Sequence, residues 1–360
     1  MSLPKTMQAM VTMGHGGLDQ LHFHPDWPRP HPSAGEVLIK VSACGLNNTD
    51  VNTRTGWYSK AVSEPTSSNG HTTVHNADPT WGGAPLSFPR IQGADVCGEI
   101  VAVGSGVAQT RIGERVITDN WLRDPSEPLN KEKTGYFGSE CDGGFAQYTV
   151  IPATNALVVN STLTDAELAT FSCSYSTAEG MLTRANVTAQ DTVLVPGASG
   201  GVGGALVQLC KLRGARVIAM ASEAKHDAVK ALGADRLLPR QVKTLKDALS
   251  DEQISVVADV VGGENWQSLI DVLVRGGRYT CSGAIAGPIV SFDLRTFYLR
   301  DLTFTGSTVI TPDVTKRLVA YIEAGALKPA LASCYPLSDL REAQSAFIQK
   351  THTGNIVVCP

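Results

Sequence analysis

Residues 191–222 read DTVLVPGASGGVGGALVQLCKLRGARVIAMAS. The stretch opens on a short apolar, β-rich run, Thr192 to Val195, which predicts a buried strand. A glycine-rich turn follows, Gly197-Ala198-Ser199-Gly200-Gly201-Val202-Gly203. Ala205, Leu206, Val207, Leu209 and Leu212 then recur at near-helical spacing until Gly214 ends the helix. Val217 to Met220 gives the next strand. Strand, glycine turn, helix and strand make a βαβ unit with the glycines at its first βα turn.

Glycine at that turn has a physical purpose. Gly200 and Gly203 carry no Cβ, so backbone can approach a pyrophosphate and the helix can pack close to the strand. The helix N-terminus adds free N–H groups and the positive end of its dipole. The pattern here is Ala198-x-Gly200-x-x-Gly203, with alanine in place of the first glycine. In its βαβ setting it predicts dinucleotide binding by Ala198, Ser199, Gly200, Gly201, Val202 and Gly203. The alternative is a tight turn without a ligand.

Working outward, the C-terminal side keeps alternating. Helices are predicted over 223–232, 242–249 and 264–274, and strands over 236–238, 254–261, 278–282 and 302–310. Alternation of this kind means a parallel, doubly wound sheet, an α/β fold. The tail adds a helix over 339–349 and a strand over 354–358, predicted to return to the first domain. On the N-terminal side, a helical stretch over 164–185 starts at an N-cap, Thr164 or Ser161. Before it, from Gln8 to about Ile151, short strands are bounded by Gly, Pro or Asp, which predicts a β-rich domain.

One segment of that domain, Ser59 to Phe88, is polar, rich in Ser, Thr, Gly and Pro, and has no periodicity. A loop of about 30 residues in a compact domain is usually functional or mobile, and this one is expected to form a lid. His71 and His75 within it read as solvated rather than as metal ligands, and Trp81 as an anchor against the body.

The 360 residues suggest two domains, and 42% apolar content with mean hydropathy near zero describes an ordinary globular chain. Net charge is −4 with no basic run, which argues against nucleic acid as a partner. The apolar window 193–210 is interrupted by Pro196 and five glycines, so it is not a membrane span. Eight cysteines without CxxC pairing fit reduced thiols in a cytoplasmic protein, not a disulfide framework or a zinc cluster.

Further motifs then converge: Cys44-Gly45-Leu46-Asn47-Asn48-Thr49-Asp50, Gly93-Ala94-Asp95-Val96-Cys97-Gly98 with Val103-Gly104, and Gly143-Gly144-Phe145-Ala146-Gln147-Tyr148. With the glycine turn and Gly354-Asn355-Ile356-Val357, the chain resembles the medium-chain dehydrogenase/reductase family, in its zinc-free quinone oxidoreductase-like branch. The resemblance implies a GroES-like β-rich catalytic domain over 1–157 and 312–360, and a Rossmann NADP-binding domain over 158–311. Where zinc-dependent members place three ligands, this chain holds Asn47, Ala94 and Cys173. A catalytic zinc needs three protein ligands, and alanine supplies none, so no zinc is expected. The span from Asn120 to Cys141 offers a single cysteine, Cys141 itself, so the family's four-cysteine structural lobe is also missing.

Hydride transfer must then be aided by hydrogen bonds and a proton donor. That suits a quinone, an enone or another activated carbonyl. By resemblance, Asn47 and Asp50 form the floor near the nicotinamide, with a structural salt bridge or turn acceptor as the other reading of Asp50, and Thr49 sits where zinc members carry a proton-relay hydroxyl. Tyr58 is the acid candidate, with packing as its other reading, and Thr177 contacts the cofactor near its nicotinamide end. The second strand ends Met220-Ala221-Ser222 without a carboxylate, and Ser222 and Lys225 suit the 2′-phosphate of NADPH, although Glu223 keeps NAD open. The alternatives are an alcohol or aldehyde dehydrogenase of the same family, which would recruit metal through Cys173, Asp95 and a loop histidine, and a non-catalytic NADPH-binding redox sensor. A homodimer is expected through the strand 302–310, whose unpaired edge would otherwise be an aggregation hazard.

Overall fold

The computed structural model describes residues 3–66 and 86–360. The expectations for His71, His75 and Trp81, and for a lid formed by the middle of the 59–88 loop, lie outside the described residues.

The decisive stretch folds as its pattern predicts. Thr192–Pro196 (β1) and Arg216–Ala221 (β2) are parallel neighbours joined by the helix Gly201–Leu212. Arg236–Pro239 (β3), Ile254–Asp259 (β4), Leu273–Cys281 (β5) and Thr303–Gly306 (β6) complete a six-stranded parallel sheet in the order β3-β2-β1-β4-β5-β6. In β1, Val193, Leu194 and Val195 are fully buried, as a strand covered on both faces by helices requires. The sheet order reverses beside β1, and ligands of open α/β sheets bind in the crevice outside the strand ends at that point.

Several boundaries move. The 164–185 helix is two, Asp165–Leu168 and Ser172–Arg184, the first capped by Thr164, whose Oγ1 accepts the Glu167 N–H. The last strand is only Thr303–Gly306, shorter than the apolar run 302–310. The helix Pro312–Glu323 packs Val314, Leu318 and Ile322 into the same core as Met181 and Leu182 of Ser172–Arg184.

Beside two two-stranded ribbons, Thr6–Thr12 with Leu21–Pro28 and Trp121–Arg123 with Thr134–Tyr136, the remaining chain forms a second large sheet. Its order is Leu331–Pro336, Asn355–Cys359, Glu36–Gly45, Asp95–Val103, Arg115–Thr118, Ala156–Val158, and Tyr148–Pro152 also pairs with Glu36–Gly45. The tail thus returns to the first domain, with Asn355–Cys359 antiparallel to Glu36–Gly45. Among the contacts that tie the halves together, the Gly354 N–H donates to Ser199 O (2.9 Å) and the Thr66 N–H to Ile285 O (3.1 Å).

Candidate active site

The phosphate end of the crevice is made of backbone. Gly197 has φ +67, a left-handed conformation that glycine adopts without penalty. A Cβ on Gly203 would lie 2.2 Å from Gly197 O and 2.8 Å from Ala198 Cα, so this glycine is required by packing alone. Gly200 differs: a Cβ there would meet nothing nearer than Gly197 O at 3.6 Å. The fold leaves that space open on the ligand side of the turn, as close approach of a pyrophosphate needs. A Cβ on Gly201 would meet Asn355 Oδ1 and Ser174 Oγ, each at 2.5 Å. Asn355 therefore abuts the turn from the other half, and its buried Oδ1 has no protein partner. An open cradle, a helix N-terminus and an orphaned polar atom suit a dinucleotide.

The opposite end is made of side chains. Strand Glu36–Gly45 pairs with Asp95–Val103 so that Gly45 lies opposite Asp95. A Cβ on Gly45 would be 2.2 Å from Ala169 O, so glycine lets the strand end pass beneath residue 169. Asn47 then starts the helix Asn48–Thr55 from extended backbone, and its N–H donates to Asp50 Oδ2 at 2.7 Å. Gly56, in the left-handed region at φ 71, ends the helix.

Asn47, Asp50, Thr49 and Tyr58 are thus brought together by one short helix. Asn47 Nδ2 donates to Asp95 Oδ2 (3.0 Å), while Asp95 Oδ1 accepts from Asn120 Nδ2 (2.9 Å) and from the Cys173 N–H (2.8 Å). Asn120 Nδ2 also lies 3.3 Å from the Tyr136 hydroxyl, and Ser174 Oγ donates weakly to Asn47 Oδ1 at 3.5 Å. Thr177 reaches the Cys173 sulfur from the next turn of the helix.

Burial sets the acid–base character. It pushes Asp50 up to about 7, helped by the Asp95 charge and opposed by the Asn47 N–H. It pushes Asp95 to about 6, held back by its bonds from Asn47, Asn120 and Cys173. The Cys173 thiol is driven well up by burial and then by the Asp95 charge. Burial also raises the Tyr58 hydroxyl, with the Thr49 and Asn52 side chains pulling it part of the way back.

The residues at the zinc-ligand positions do not fit a zinc ion. Ala94 offers a methyl group, and Asn47 offers only a neutral amide oxygen, a poor zinc ligand, while one N–H of its Nδ2 donates to Asp95. Cys173 supplies one soft donor, and no group of three His, Cys, Asp or Glu side chains is placed to hold a metal among the described residues.

Ser222 directly follows β2 and is exposed, and Lys225 ends the short helical turn Glu223–Lys225 that comes after it. Sequence reasoning missed Asn120, Tyr136, Ser174 and Asn355, and gave Asp95 only to a metal-recruiting alternative. Asn120 and Tyr136 sit at the strands Trp121–Arg123 and Thr134–Tyr136, which carry no motif. Asn355 lies in the Gly354-Asn355-Ile356-Val357 signature, and that was the available clue.

Two family models match the chain: an alcohol dehydrogenase GroES-like domain over residues 33–161 and a zinc-binding dehydrogenase over 201–324. A solved structure of a putative alcohol dehydrogenase from Sinorhizobium meliloti 1021 superposes with a TM-score of 0.89 at 46% identity, covering 99% of this chain and 98% of that one. The chain is 29% identical to an NADPH-dependent alkenal/one oxidoreductase, chloroplastic, of Arabidopsis thaliana, over 100% of this chain and 81% of that protein. It is 26% identical to acryloyl-coenzyme A reductase of Metallosphaera sedula, over 98% of this chain and 99% of that protein.

Proposed function

The chain belongs to the medium-chain dehydrogenase/reductase family, and from that premise we propose that it is an NADPH-dependent, zinc-independent reductase of an enone, quinone or other activated carbonyl. It is an oxidoreductase. The observation that carries the finer reading is the hydrogen-bonded set Asn47–Asp95–Asn120–Cys173 standing where a metal would be held, with Tyr58 beside it.

The cofactor supplies a hydride when bound. Ala198 to Gly203 would hold its phosphates, Thr177 would contact its nicotinamide end, and Ser222 and Lys225 would take its 2′-phosphate. On the substrate, hydride addition at the β-carbon of an enone leaves an enolate, whose charge is spread over carbon and oxygen and needs less stabilisation than an alkoxide. Asn47, fixed by Asp95, and the hydroxyl of Thr49 orient the carbonyl oxygen. Tyr58 gives its phenolic proton to the enolate, the resulting phenolate regains one from solvent water through the Thr49 hydroxyl, and the Asn52 side chain steadies it by hydrogen bonding. Asp50 caps the helix that sets all of these.

Replacing Tyr58→Phe tests the assignment. Removing a general acid costs about 10²-fold in kcat, with the NADPH Kd unchanged. A variant with wild-type kcat would leave Tyr58 as a packing aromatic.

The family reading extends to assembly and location. Ile289, Leu294, Tyr298 and Leu299 are exposed apolar side chains just before the edge strand β6. They support a homodimer through that edge, and sedimentation showing only a 38.1 kDa species would refute it. Eight free cysteines support a reducing compartment, the cytoplasm. No helix among the described residues is long and apolar enough to cross a membrane.

A further inference from the structure

Away from the crevice, the last two strands of the second large sheet carry a pair of thiols. Leu331–Pro336 and Asn355–Cys359 run parallel, with Cys334 opposite Val357 and Pro336 opposite Cys359. Side chains alternate along a strand, so Cys334, Val357 and Cys359 share one face. The two sulfurs are hydrogen-bonded to each other. Of the eight cysteines Cys334 alone is exposed, and it stands on the edge strand of its sheet, while Cys359 is partly buried.

Neither neighbouring cysteine competes for this pairing. Cys97 lies two strands from Cys359, across Glu36–Gly45, which is about 10 Å at ordinary strand spacing. Bridged Cα atoms are seldom more than about 7 Å apart. Cys44 is opposite Val358, so it faces the other side of the sheet from Cys359. Diagonal neighbours such as Cys334 and Cys359 lie about 7–8 Å apart at Cα, at the upper edge of what a bridge spans. An edge strand is held on one side only, and this one already shifts register between Leu331 and Ser333, so it can close the remaining ångström.

The two thiols differ in character. Cys334 meets solvent. Cys359 is pushed up to about 11 by burial, then by Cys334 and by the Asp165 charge. The thiolate is the nucleophile in disulfide exchange, so the exposed thiol attacks first and the buried one resolves.

We propose that Cys334 and Cys359 are a reversible dithiol–disulfide pair, a modification site at which a small disulfide such as oxidised glutathione closes a bridge between the last two strands. The Cys334 thiolate attacks one glutathione sulfur, the S–S bond of the reagent breaks, and one glutathione thiolate leaves. The Cys359 sulfur then displaces the second glutathione, and its proton passes to a leaving thiolate. Two protein thiols lose two electrons, and one glutathione disulfide becomes two thiols. Both strands begin where the sheet touches the nucleotide half: Lys328 O accepts the Tyr175 hydroxyl (2.8 Å) just before the first, and the Gly354 N–H donates to Ser199 O just before the second. A bridge therefore staples two anchor points of that contact and removes freedom from the unfolded chain. Being exposed, it is readily reduced again.

Mass spectrometry and thermal melts of the intact chain test this after incubation with oxidised glutathione. The expected product is lighter than the dithiol by two hydrogens and is linked from Cys334 to Cys359 in peptide maps. Its Tm should be about 4 °C higher, and dithiothreitol should reverse the rise. Cys334→Ser should abolish both changes. Cys359→Ser should stop with one glutathione on Cys334 and no rise in Tm, and Cys359→Ala serves if that variant does not fold. Wild-type protein that also stops at the glutathione adduct, links Cys334 to any other cysteine or to a second chain, or does not react overturns the pair. A Cys334–Cys359 bridge without a rise in Tm overturns the staple.

Discussion

The two ends of the crevice are built from different materials. The phosphate end is one continuous turn of backbone, Gly197 to Gly203, whose shape is fixed by which positions lack a Cβ. The hydride end is a set of buried side chains, Asn47, Asp95, Asn120 and the Cys173 amide, drawn from segments as far apart as residues 47 and 173. Backbone can be disturbed only by adding atoms, and a side-chain network only by removing them. The two ends should therefore fail in different ways.

The largest effect is expected at the phosphate end. Gly203→Ala puts a methyl group 2.2 Å from Gly197 O, so the helix must shift. Cofactor affinity should fall at least ~100-fold, about 2.7 kcal/mol, and the Tm should drop with it. Gly200→Ala sharpens the point, because its Cβ meets only Gly197 O at 3.6 Å. That variant should keep the wild-type Tm in thermal melts while losing cofactor affinity in titrations. Equal Tm losses at both positions would mean that neither glycine is reserved for a ligand.

Next comes the hydride end. Asp95→Ala strands the Asn47 and Asn120 amides and the Cys173 N–H in a buried site. Each unsatisfied group costs about 1–3 kcal/mol, so stability should fall by at least ~3 kcal/mol in urea melts. kcat should fall about 100-fold while 2′,5′-ADP affinity stays within about twofold. A parallel loss of 2′,5′-ADP affinity would break the comparison, because the two ends would then be one unit.

The smallest effect is a pH dependence. Asp50 titrates near 7 in the folded chain against 3.8 in an ordinary carboxyl, chiefly because it is buried. Between those values the folded state binds more protons than the unfolded one, so stability falls as pH rises from about 4 to 7. Asp50→Asn cannot titrate there and still offers an oxygen to the Asn47 N–H. Its Tm should match the wild type near pH 4 and exceed it above pH 7, and parallel curves would contradict the assignment.

How much of this was legible in the sequence follows the same division. The turn is local, so its glycines, the flanking apolar runs and a parallel, doubly wound sheet could be read from spacing and alternation, while the strand order came from the structure. Asn47, Thr49, Asp50 and Tyr58 lie within a dozen residues and came through family motifs. The helix that joins them, Asn48–Thr55, was not read, because it is short and polar and its N-cap and buried carboxylate matter more than periodicity. The Asp95 network was hidden because it depends on the Gly45–Asp95 register and on Asn120, residues whose meeting no local pattern encodes. Lys350 and His352 fall between the predicted helix 339–349 and strand 354–358 and carry no motif. Their closeness to Lys225 comes from the return of the C-terminal strand to the first sheet.

The most direct test of the central claim follows NADPH oxidation by absorbance against a panel of quinones, enones and aldehydes, with and without a zinc chelator. Turnover of an enone or quinone at the same rate in both conditions is predicted. Turnover abolished by the chelator would contradict the account, returning a metal to the place assigned to Asn47, Asp95 and Cys173.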